Sequence, residues 1–179
     1  FAFDYDPHEV LQAVITSGCL PDQRTHQFYP TPERLAQRVV DAAGIEPHHR
    51  CLEPSAGLGA IARLMPSEHV TCVELSPLHC AALRTMGMQT HEADFLAWAP
   101  TAATFDRIVM NPPFSQSRAK MHFEAAAGLL APGGRLVAIL PASYRGKDML
   151  PGRRVSWSEV IEGAFQGTSV AVVIATVEG

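Results

Sequence analysis

The sequence predicts an α/β fold, a doubly wound and mostly parallel Rossmann-like sheet with helices on both faces. Two observations carry this prediction. Strand-like segments such as Arg135 to Leu140 are almost continuously apolar, as expected of strands buried on both faces. They alternate with segments whose apolar residues recur every three or four positions, the pattern of a helix with one buried face.

The first half of the chain contains two helix signals around a strand and a glycine loop. Thr31 is the predicted N-cap of a helix that has Pro32 at its first position and ends at Gly44. A strand follows from Arg50 to Glu53. The segment from Ala60 to Met65 is then predicted to be helical.

The same alternation continues through the middle of the chain. A strand from Val70 to Glu74 precedes a helix that Ser76 caps and Gly87 ends. The next strand is expected from Met88 to Glu92, followed by a loop around Pro100.

The last predicted elements complete the sheet. A strand from Asp106 to Met110 leads into a helix from Ser117 to Leu130, which Pro132-Gly133-Gly134 is expected to stop. The strand from Arg135 to Leu140 follows, and Ser169 to Val177 is rich in β-branched residues and predicts another strand.

We expect one domain over residues 1–179, because 179 residues that are 47% hydrophobic can bury a full core. Residues 1–27 form an N-terminal extension with one weak helix from Glu9 to Ile15, and residues 28–140 form a core that carries the motifs. Residues 141–179 hold a basic loop and the closing strands, with Met149 to Gly167 polar and irregular.

Composition excludes several classes of protein. No apolar run approaches the roughly 20 residues that a membrane span needs, and the first residues lack the features of a signal peptide. Four cysteines without a Cys-x-x-Cys pair give no zinc or redox motif, and Cys51 and Cys72 in apolar strands favour reduced, buried thiols and a cytoplasmic location. No metal site is expected, including at His48-His49.

A glycine loop follows the first strand, where an open α/β sheet binds its ligands. Gly57 and Gly59 allow a tight turn and a close approach to a ligand. Together with Ala62 they fit the dinucleotide fingerprint, and Glu74 at the end of the second strand can accept hydrogen bonds from ribose hydroxyls. This pattern alone leaves NAD and other adenosyl cofactors open, but Glu53 directly before the loop suits a cationic group better than a phosphate.

A second motif, Asn111-Pro112-Pro113-Phe114, follows the fourth strand. The two prolines make a rigid turn and hold Asn111 away from the helical region of backbone conformation. Phe114 is thereby fixed at the carboxyl edge of the sheet.

With Glu53 to Gly59, Val73-Glu74, Ala93-Asp94-Phe95 and this tetrapeptide in order, the sequence resembles the class I S-adenosylmethionine-dependent amino-methyltransferases, particularly the N6-adenine DNA methyltransferases. Phe28 to Pro32 resembles their N-terminal cofactor motif in the order of the gamma group. The match spans about Phe28 to Leu140. The resemblance implies a seven-stranded sheet, S-adenosyl-L-methionine as cofactor and methyl transfer to the N6 amine of adenine, most simply in DNA.

The resemblance also assigns roles to residues. The Asn111 side-chain oxygen and the Pro112 carbonyl would accept the two N–H bonds of the target amine, Pro113 would stiffen the turn, and Phe114 would stack on a base that has left its duplex. The residues implied in cofactor binding are Tyr29, Thr31, Glu53, Ser55, Ala56, Gly57, Gly59, Glu74, Leu75, Asp94, Phe95 and Asn111.

Within that set, Glu53 would pair with the α-amino group of the methionine moiety and Thr31 would bind its carboxylate. Glu74 would hold the ribose, while Leu75 would pack on the adenine ring. Asp94 would accept its amine beside Phe95, although Phe95 can equally be a core residue.

Nucleic acid is the expected partner, although the net charge of −4 opposes strong non-specific binding. Six basic residues are expected near the site and could hold phosphates: Arg118, Lys120, Arg145, Lys147, Arg153 and Arg154. Since only 39 residues follow Leu140, no separate recognition domain is expected. Sequence reading would then come from loops, a separate specificity subunit or a homo-oligomer.

Three alternatives stay open at this point. RNA is a near neighbour of DNA as a substrate, because the chemistry of the base is identical. Glutamine-amide methylation of a protein uses a related Asn-Pro-Pro turn, but Tyr usually follows it where this chain has Phe114. A catalytically silent subunit that binds S-adenosylmethionine or NAD is the third.

Overall fold

The computed structural model describes residues 12, 15, 30–66, 68–114, 117–165 and 169–179. Of the predicted helix from Glu9 to Ile15, only residues 12 and 15 are described, and both are helical. Tyr29, which belongs to the predicted cofactor set, lies outside the described residues, as does Cys19.

Seven strands form one sheet in the order β3-β2-β1-β4-β5-β7-β6. Strands β1 to β5 are parallel, β7 is antiparallel to β5, and β6 is antiparallel to β7. The strands are β1 Arg50–Pro54, β2 His69–Glu74, β3 Gln89–Glu92, β4 Phe105–Met110, β5 Leu130–Pro141, β6 Val155–Trp157 and β7 Val172–Glu178. The predicted doubly wound, mostly parallel sheet is confirmed.

Each central strand buries side chains on both faces of the sheet. Cys51 of β1 lies in the core on one face and its neighbour Leu52 lies in the core on the other. Ile108 and Val109 of β4 alternate in the same way. The buried parts of such strands are continuous apolar runs, because successive side chains there pack into a core on either face.

In the range from residue 30 onward that the structure describes, four α-helices cover the two faces: α1 Glu33–Ala43, α2 Pro77–Thr85, α3 Phe95–Trp98 and α4 Arg118–Gly128. Helix α1 contributes Leu35 and Val39 to one core, and α2 contributes Leu83 to the same core. Helices α3 and α4 cover the opposite face, where Phe95 and Phe123 are buried. Within the described ranges, no helix is long and apolar enough to cross a membrane.

Two helix predictions in the first half were wrong in detail. The N-cap of α1 is Pro32 rather than Thr31. The segment predicted as a helix from Ala60 to Met65 forms only a 3-10 turn over Ala62–Leu64. In that turn the Ala62 N–H donates to the Glu53 carboxylate at 2.7 Å, so a side chain replaces the backbone partner of a longer helix. Ser76 is the N-cap of α2, but its side chain makes no capping hydrogen bond.

Three further elements differ from the sequence expectation. Around Pro100 the chain forms α3 and a 3-10 turn, Ala99–Thr101, instead of a loop. Strand β5 begins at Leu130 rather than Arg135, because Pro132-Gly133-Gly134 lies inside the strand beside an irregular register. The stretch predicted to be irregular contains β6, which pairs with β7 through only three residues.

The predicted burial of Cys51 and Cys72 is confirmed, and Cys80 is buried as well. All three are free thiols. Burial raises the pKa of Cys80 to about 11, which keeps this thiol protonated and unreactive at neutral pH.

Helix α4 carries a buried histidine behind the glycine loop. His122 is 2% exposed, and its ring lies 5.3 Å from the Phe95 ring. Its Nδ1 is 3.2 Å from the Ser55 hydroxyl oxygen. Burial, helped by the nearby Arg118 charge, lowers the pKa of His122 to about 4, so the ring is neutral at neutral pH.

The low pKa of His122 predicts acid sensitivity. Between pH 6.5 and about 4 the unfolded chain protonates this histidine and the folded chain does not, so the free energy of unfolding falls as the pH is lowered. The total loss from this group is about 3 kcal/mol. Urea unfolding from pH 7 to pH 4 should therefore show a shallower loss in His122→Gln than in the wild type.

His69→Gln is the matched control, because His69 is exposed at the start of β2. An unchanged pH dependence in His122→Gln would contradict the assignment of a neutral, buried ring.

Candidate cofactor and acceptor site

The glycine loop leaves the carboxyl end of β1 and turns back beneath it. Its Ala56 N–H donates to the Val73 carbonyl on the neighbouring strand at 3.0 Å. Gly59 has φ +74, and a Cβ there would lie 2.8 Å from the side chain of Leu83, so the position requires glycine. The loop is therefore hydrogen-bonded to β2 through Ala56 and packs against α2 at Gly59.

Ser55 begins this loop with an unusual backbone. Its φ is +60, a left-handed conformation that is costly for a residue other than glycine. The hydrogen bond between its hydroxyl and His122 Nδ1 supports that conformation from the core side. Sequence inspection missed this pair, since 67 residues separate its members and neither type is diagnostic.

Glu53 is buried at the end of β1 and is 3% exposed. Burial raises the pKa of its carboxyl group well above the usual value, and the nearby Glu74 charge adds to this effect. The Ala62 N–H bond only partly opposes the rise. A cation placed beside Glu53 would restore its ionised form, so the site favours a positively charged ligand group.

Glu74, at the end of β2, behaves in the opposite way. Burial disfavours its charge, but hydrogen bonds from His79 and from the N–H groups of Ser76 and Gly57 outweigh that effect and lower its pKa. Gly57 N–H donates to one carboxylate oxygen at 2.7 Å and Ser76 N–H to the other at 2.8 Å. His79 Nδ1 lies 3.6 Å from the oxygen that Ser76 bonds, so it is the other oxygen, bonded by Gly57, that has a second lone pair with which it can accept a ligand hydroxyl.

Asp94 and its neighbours follow the carboxyl end of β3, the strand beside β2. The Asp94 carboxylate accepts the Leu96 N–H at 2.9 Å and the Arg118 guanidinium at 2.8 Å. Burial opposes ionisation, but these two donors outweigh it and lower the pKa of Asp94. Phe95 is 2% exposed and lies in the core, whereas Leu75 is 48% exposed and presents an apolar surface at the end of β2.

Asn111 extends from the carboxyl end of β4, next to β1. Its amide nitrogen Nδ2 donates to the Thr31 hydroxyl oxygen at 3.0 Å. Thr31, 9% exposed, therefore contacts the tetrapeptide motif instead of capping α1. The structure thus brings a residue of the predicted cofactor set against the predicted acceptor residue.

Phe114 packs between the two cores at the end of the tetrapeptide. Its ring meets the Phe165 ring edge to face, with centroids 6.2 Å apart. Phe165 is 5% exposed and comes from the segment between β6 and β7. Sequence inspection missed Phe165, because it lies in a stretch without a periodic pattern.

The six basic residues do not form one rim. Strand β6 is level with the amino end of β5, since Val155 and Leu136 both pair with Val177. Arg153 and Arg154 precede Val155 and therefore lie at the edge opposite the site. The expectation that all six basic residues are near the site is wrong for Arg153 and Arg154, because the loop after β5 runs from the carboxyl edge of the sheet to its amino edge before β6 begins.

The remaining basic residues have different surroundings. Arg153 donates to the Ala127 carbonyl at the end of α4, and Lys120 pairs with Glu124 one turn away. Lys147 lies 5.5 Å from the Tyr144 ring centroid, and Arg145 is exposed in the loop that leaves β5. Arg145 and Lys147 therefore follow the carboxyl end of β5, at the same edge of the sheet as the candidate site.

One cluster of potential metal ligands lies elsewhere. Ligand atoms of Glu46, His48 and His49 lie within 4.8 Å of one another, in the turn before β1. This turn is at the amino edge of the sheet, away from the glycine loop. The expectation that the chain holds no metal stays a prediction.

Comparisons with known proteins yield structural matches. No protein-family model matches the chain, and no curated protein gives a significant match. The chain superimposes on TrmN from Thermus thermophilus with a TM-score of 0.64 and 25% identity, covering 82% of this chain and 48% of TrmN. The chain thus spans about half the length of TrmN.

Two further solved structures match over more of their own length. A candidate RNA methyltransferase from Pyrococcus horikoshii has a TM-score of 0.67 and 16% identity, covering 97% of this chain and 98% of that chain. The 23S rRNA methyltransferase ErmE has a TM-score of 0.64 and 18% identity, covering 84% of this chain and 69% of ErmE. The chain therefore has the Rossmann-like fold of the class I methyltransferases.

Proposed function

We propose that this chain is an S-adenosylmethionine-dependent methyltransferase that acts on the exocyclic N6 amine of adenine in a nucleic acid. The observation that carries the proposal is the position of Asn111-Pro112-Pro113-Phe114 at the end of β4, directly beside the glycine loop at the end of β1. An acceptor group held by this turn would lie next to a cofactor held by that loop.

The donor side of the site fits a cationic adenosyl cofactor. Glu53 would pair with the α-amino group, and a positive partner offsets the burial that raises the pKa of its carboxyl group. Glu74 would hold the ribose hydroxyls, chiefly through the carboxylate oxygen that Gly57 bonds, while Leu75 would cover the adenine ring. A pyrophosphate would meet two buried carboxylates here, which disfavours NAD.

The acceptor side would orient a weak nucleophile. The adenine amine delocalises its lone pair into the ring, so Asn111 Oδ1 and the Pro112 carbonyl would accept its N–H bonds and turn the lone pair outward. When bound, S-adenosylmethionine supplies a methyl group on a sulfonium that is open to in-line displacement. Phe114, backed by Phe165, would stack on the extruded base. The methylated amine is acidic enough to lose its proton without a dedicated base.

DNA is the polymer that the sequence resemblance implies. RNA is a second candidate, favoured by two structural neighbours that are described as RNA and rRNA methyltransferases. Arg145 and Lys147 at the site edge would contact phosphates of either polymer. Partner subunits for sequence reading stay part of the proposal.

Cofactor binding is the first test. Calorimetry should show binding of S-adenosylmethionine and none of NAD, and Glu53→Gln should weaken binding by roughly tenfold or more, because a charge-assisted hydrogen bond is lost. Glu33→Gln, at an exposed position of α1, is the control. Binding of NAD in place of S-adenosylmethionine would refute the donor-side assignment.

Asn111→Ala should separate binding from transfer. We expect a loss of about a hundredfold in the rate of methyl transfer, because one acceptor that orients the amine is removed. Cofactor affinity should be retained. Gln37→Ala, which removes an exposed amide on α1, should transfer normally. An equal loss of cofactor binding and transfer in Asn111→Ala would indicate a structural role.

The substrate class is tested with tritiated S-adenosylmethionine offered in parallel with duplex DNA, single-stranded DNA, RNA and protein extract. The expected product is N6-methyladenine in a nucleic acid, identified by mass. Label in RNA alone would select the second candidate, and label in glutamine alone would refute adenine as the acceptor.

A further inference from the structure

Thr31 lies where the donor and acceptor sides of the site meet. The residue is buried, and its hydroxyl oxygen accepts the Asn111 Nδ2–H at 3.0 Å. Its position is fixed by α1, since the next residue, Pro32, provides the carbonyl that accepts the first two N–H bonds of the helix turn, from Leu35 and Ala36. The hydroxyl is therefore held against Asn111 by a rigid element.

We propose that the Thr31 hydroxyl is a switchable link that couples the carboxylate of the bound cofactor to the orientation and acceptor strength of the Asn111 amide. This inference rests on the proposed function. It makes Thr31 a positioning residue for the acceptor, in addition to a contact for the cofactor.

The Thr31 hydroxyl can bond to two partners at once. A threonine hydroxyl can donate one hydrogen bond and accept two. The bond from Asn111 Nδ2 uses one acceptor position and leaves the hydroxyl proton to be donated. A carboxylate is the strongest common acceptor for that proton. One oxygen atom can therefore serve the cofactor and Asn111 at the same time.

The bond to Thr31 also bears on which end of the Asn111 amide faces the substrate. An amide presents a donor at one end and an acceptor at the other. Because Thr31 engages the nitrogen, Oδ1 is the end of the amide that would accept an N–H bond from the target amine. The reversed amide would present N–H groups to another N–H donor, which is repulsive. A hydroxyl that donates its proton to the cofactor carboxylate can only accept from the amide, so Thr31 in that state selects the orientation in which Nδ2 faces it.

The bonds from Thr31 to the carboxylate and from Asn111 to Thr31 form a chain in which each bond polarises the next. When the Thr31 proton is donated to a carboxylate, Oγ1 becomes a better acceptor for Asn111 Nδ2. A more strongly bonded amide nitrogen makes Oδ1 a stronger acceptor in turn. Cofactor binding would therefore prepare Asn111 for the acceptor, and by reciprocity the acceptor would tighten binding of the cofactor.

The chain permits a direct test, because Asn111 is its only asparagine. Labelling with [¹⁵N]asparagine gives a single side-chain NH2 signal in an NMR spectrum of the whole protein. We expect the proton that Asn111 donates to Thr31 to lie downfield. S-adenosylmethionine should move that proton further downfield. Decarboxylated S-adenosylmethionine, which keeps the amine and the sulfonium but lacks the carboxylate, should not.

Variants complete the test. Thr31→Val preserves side-chain volume and should shift the Asn111 proton upfield, abolish its response to the cofactor and lower methyl transfer roughly tenfold. Thr31→Ser should restore all three readouts, since it keeps the hydroxyl. Thr85→Val, at an exposed threonine of α2, should leave them unchanged.

The outcomes are distinct. An Asn111 signal that is unchanged in Thr31→Val, or that responds equally to both ligands, refutes the coupling while binding of S-adenosylmethionine still supports the proposed function. Absence of S-adenosylmethionine binding to the wild type, measured in the same samples by calorimetry, refutes both. Because the comparison of the two ligands uses only the wild type, a Thr31→Val protein that fails to fold does not block the test.

Discussion

Strands β1 and β4 lie side by side although the chain visits two other strands between them, and the candidate site depends on this neighbourhood. Parallel strands have their carboxyl ends at the same edge of the sheet. The reversal of strand order between β1 and β4 therefore opens a crevice between the loops that follow them. One loop carries the glycines and Glu53, and the other carries Asn111 to Phe114. Both strands are buried on two faces, so the crevice is built directly on the core.

Two buried carboxylates line the donor side, and their surroundings set opposite protonation tendencies. Glu74 is satisfied by backbone N–H groups, which stabilise its charge before any ligand arrives. Glu53 is dehydrated and receives the N–H of Ala62, which does not compensate for its burial. Glu74 holds the glycine loop in place, whereas a cation beside Glu53 would stabilise the ionised form of its carboxyl group. A site with one ionised and one charge-seeking carboxyl group fits a ligand that carries both hydroxyl groups and a cationic group.

The sequence was informative wherever a local pattern and a tertiary contact agree. Apolar runs predicted the central strands, and the motif order predicted which loops meet at one edge. It was less informative where a distant partner decides the local structure. Ala62 bonds to Glu53 and so forms a short turn, while Thr31 meets Asn111, 80 residues away, instead of capping its own helix.

The shortest elements were missed for a related reason. Strand β6 contains three residues and owes its existence to β7, so it leaves no periodic pattern in the sequence. Without β6, the course of the loop after β5 could not be predicted, and Arg153 and Arg154 were therefore placed at the wrong edge of the sheet. Ser55 and His122 are likewise a long-range pair, visible only after folding brings α4 behind the glycine loop.

The contact between Phe114 and Phe165 joins two parts of the chain with separate duties. Residues that would hold the methyl donor come from the first part of the sheet, whereas Phe165 belongs to the segment between β6 and β7. Substitutions in that segment would change the wall beside Phe114, whereas Glu53 and Glu74 are held by hydrogen bonds from other segments. Under the proposed function, the fit of the acceptor and the binding of the cofactor would then be set by different parts of the chain.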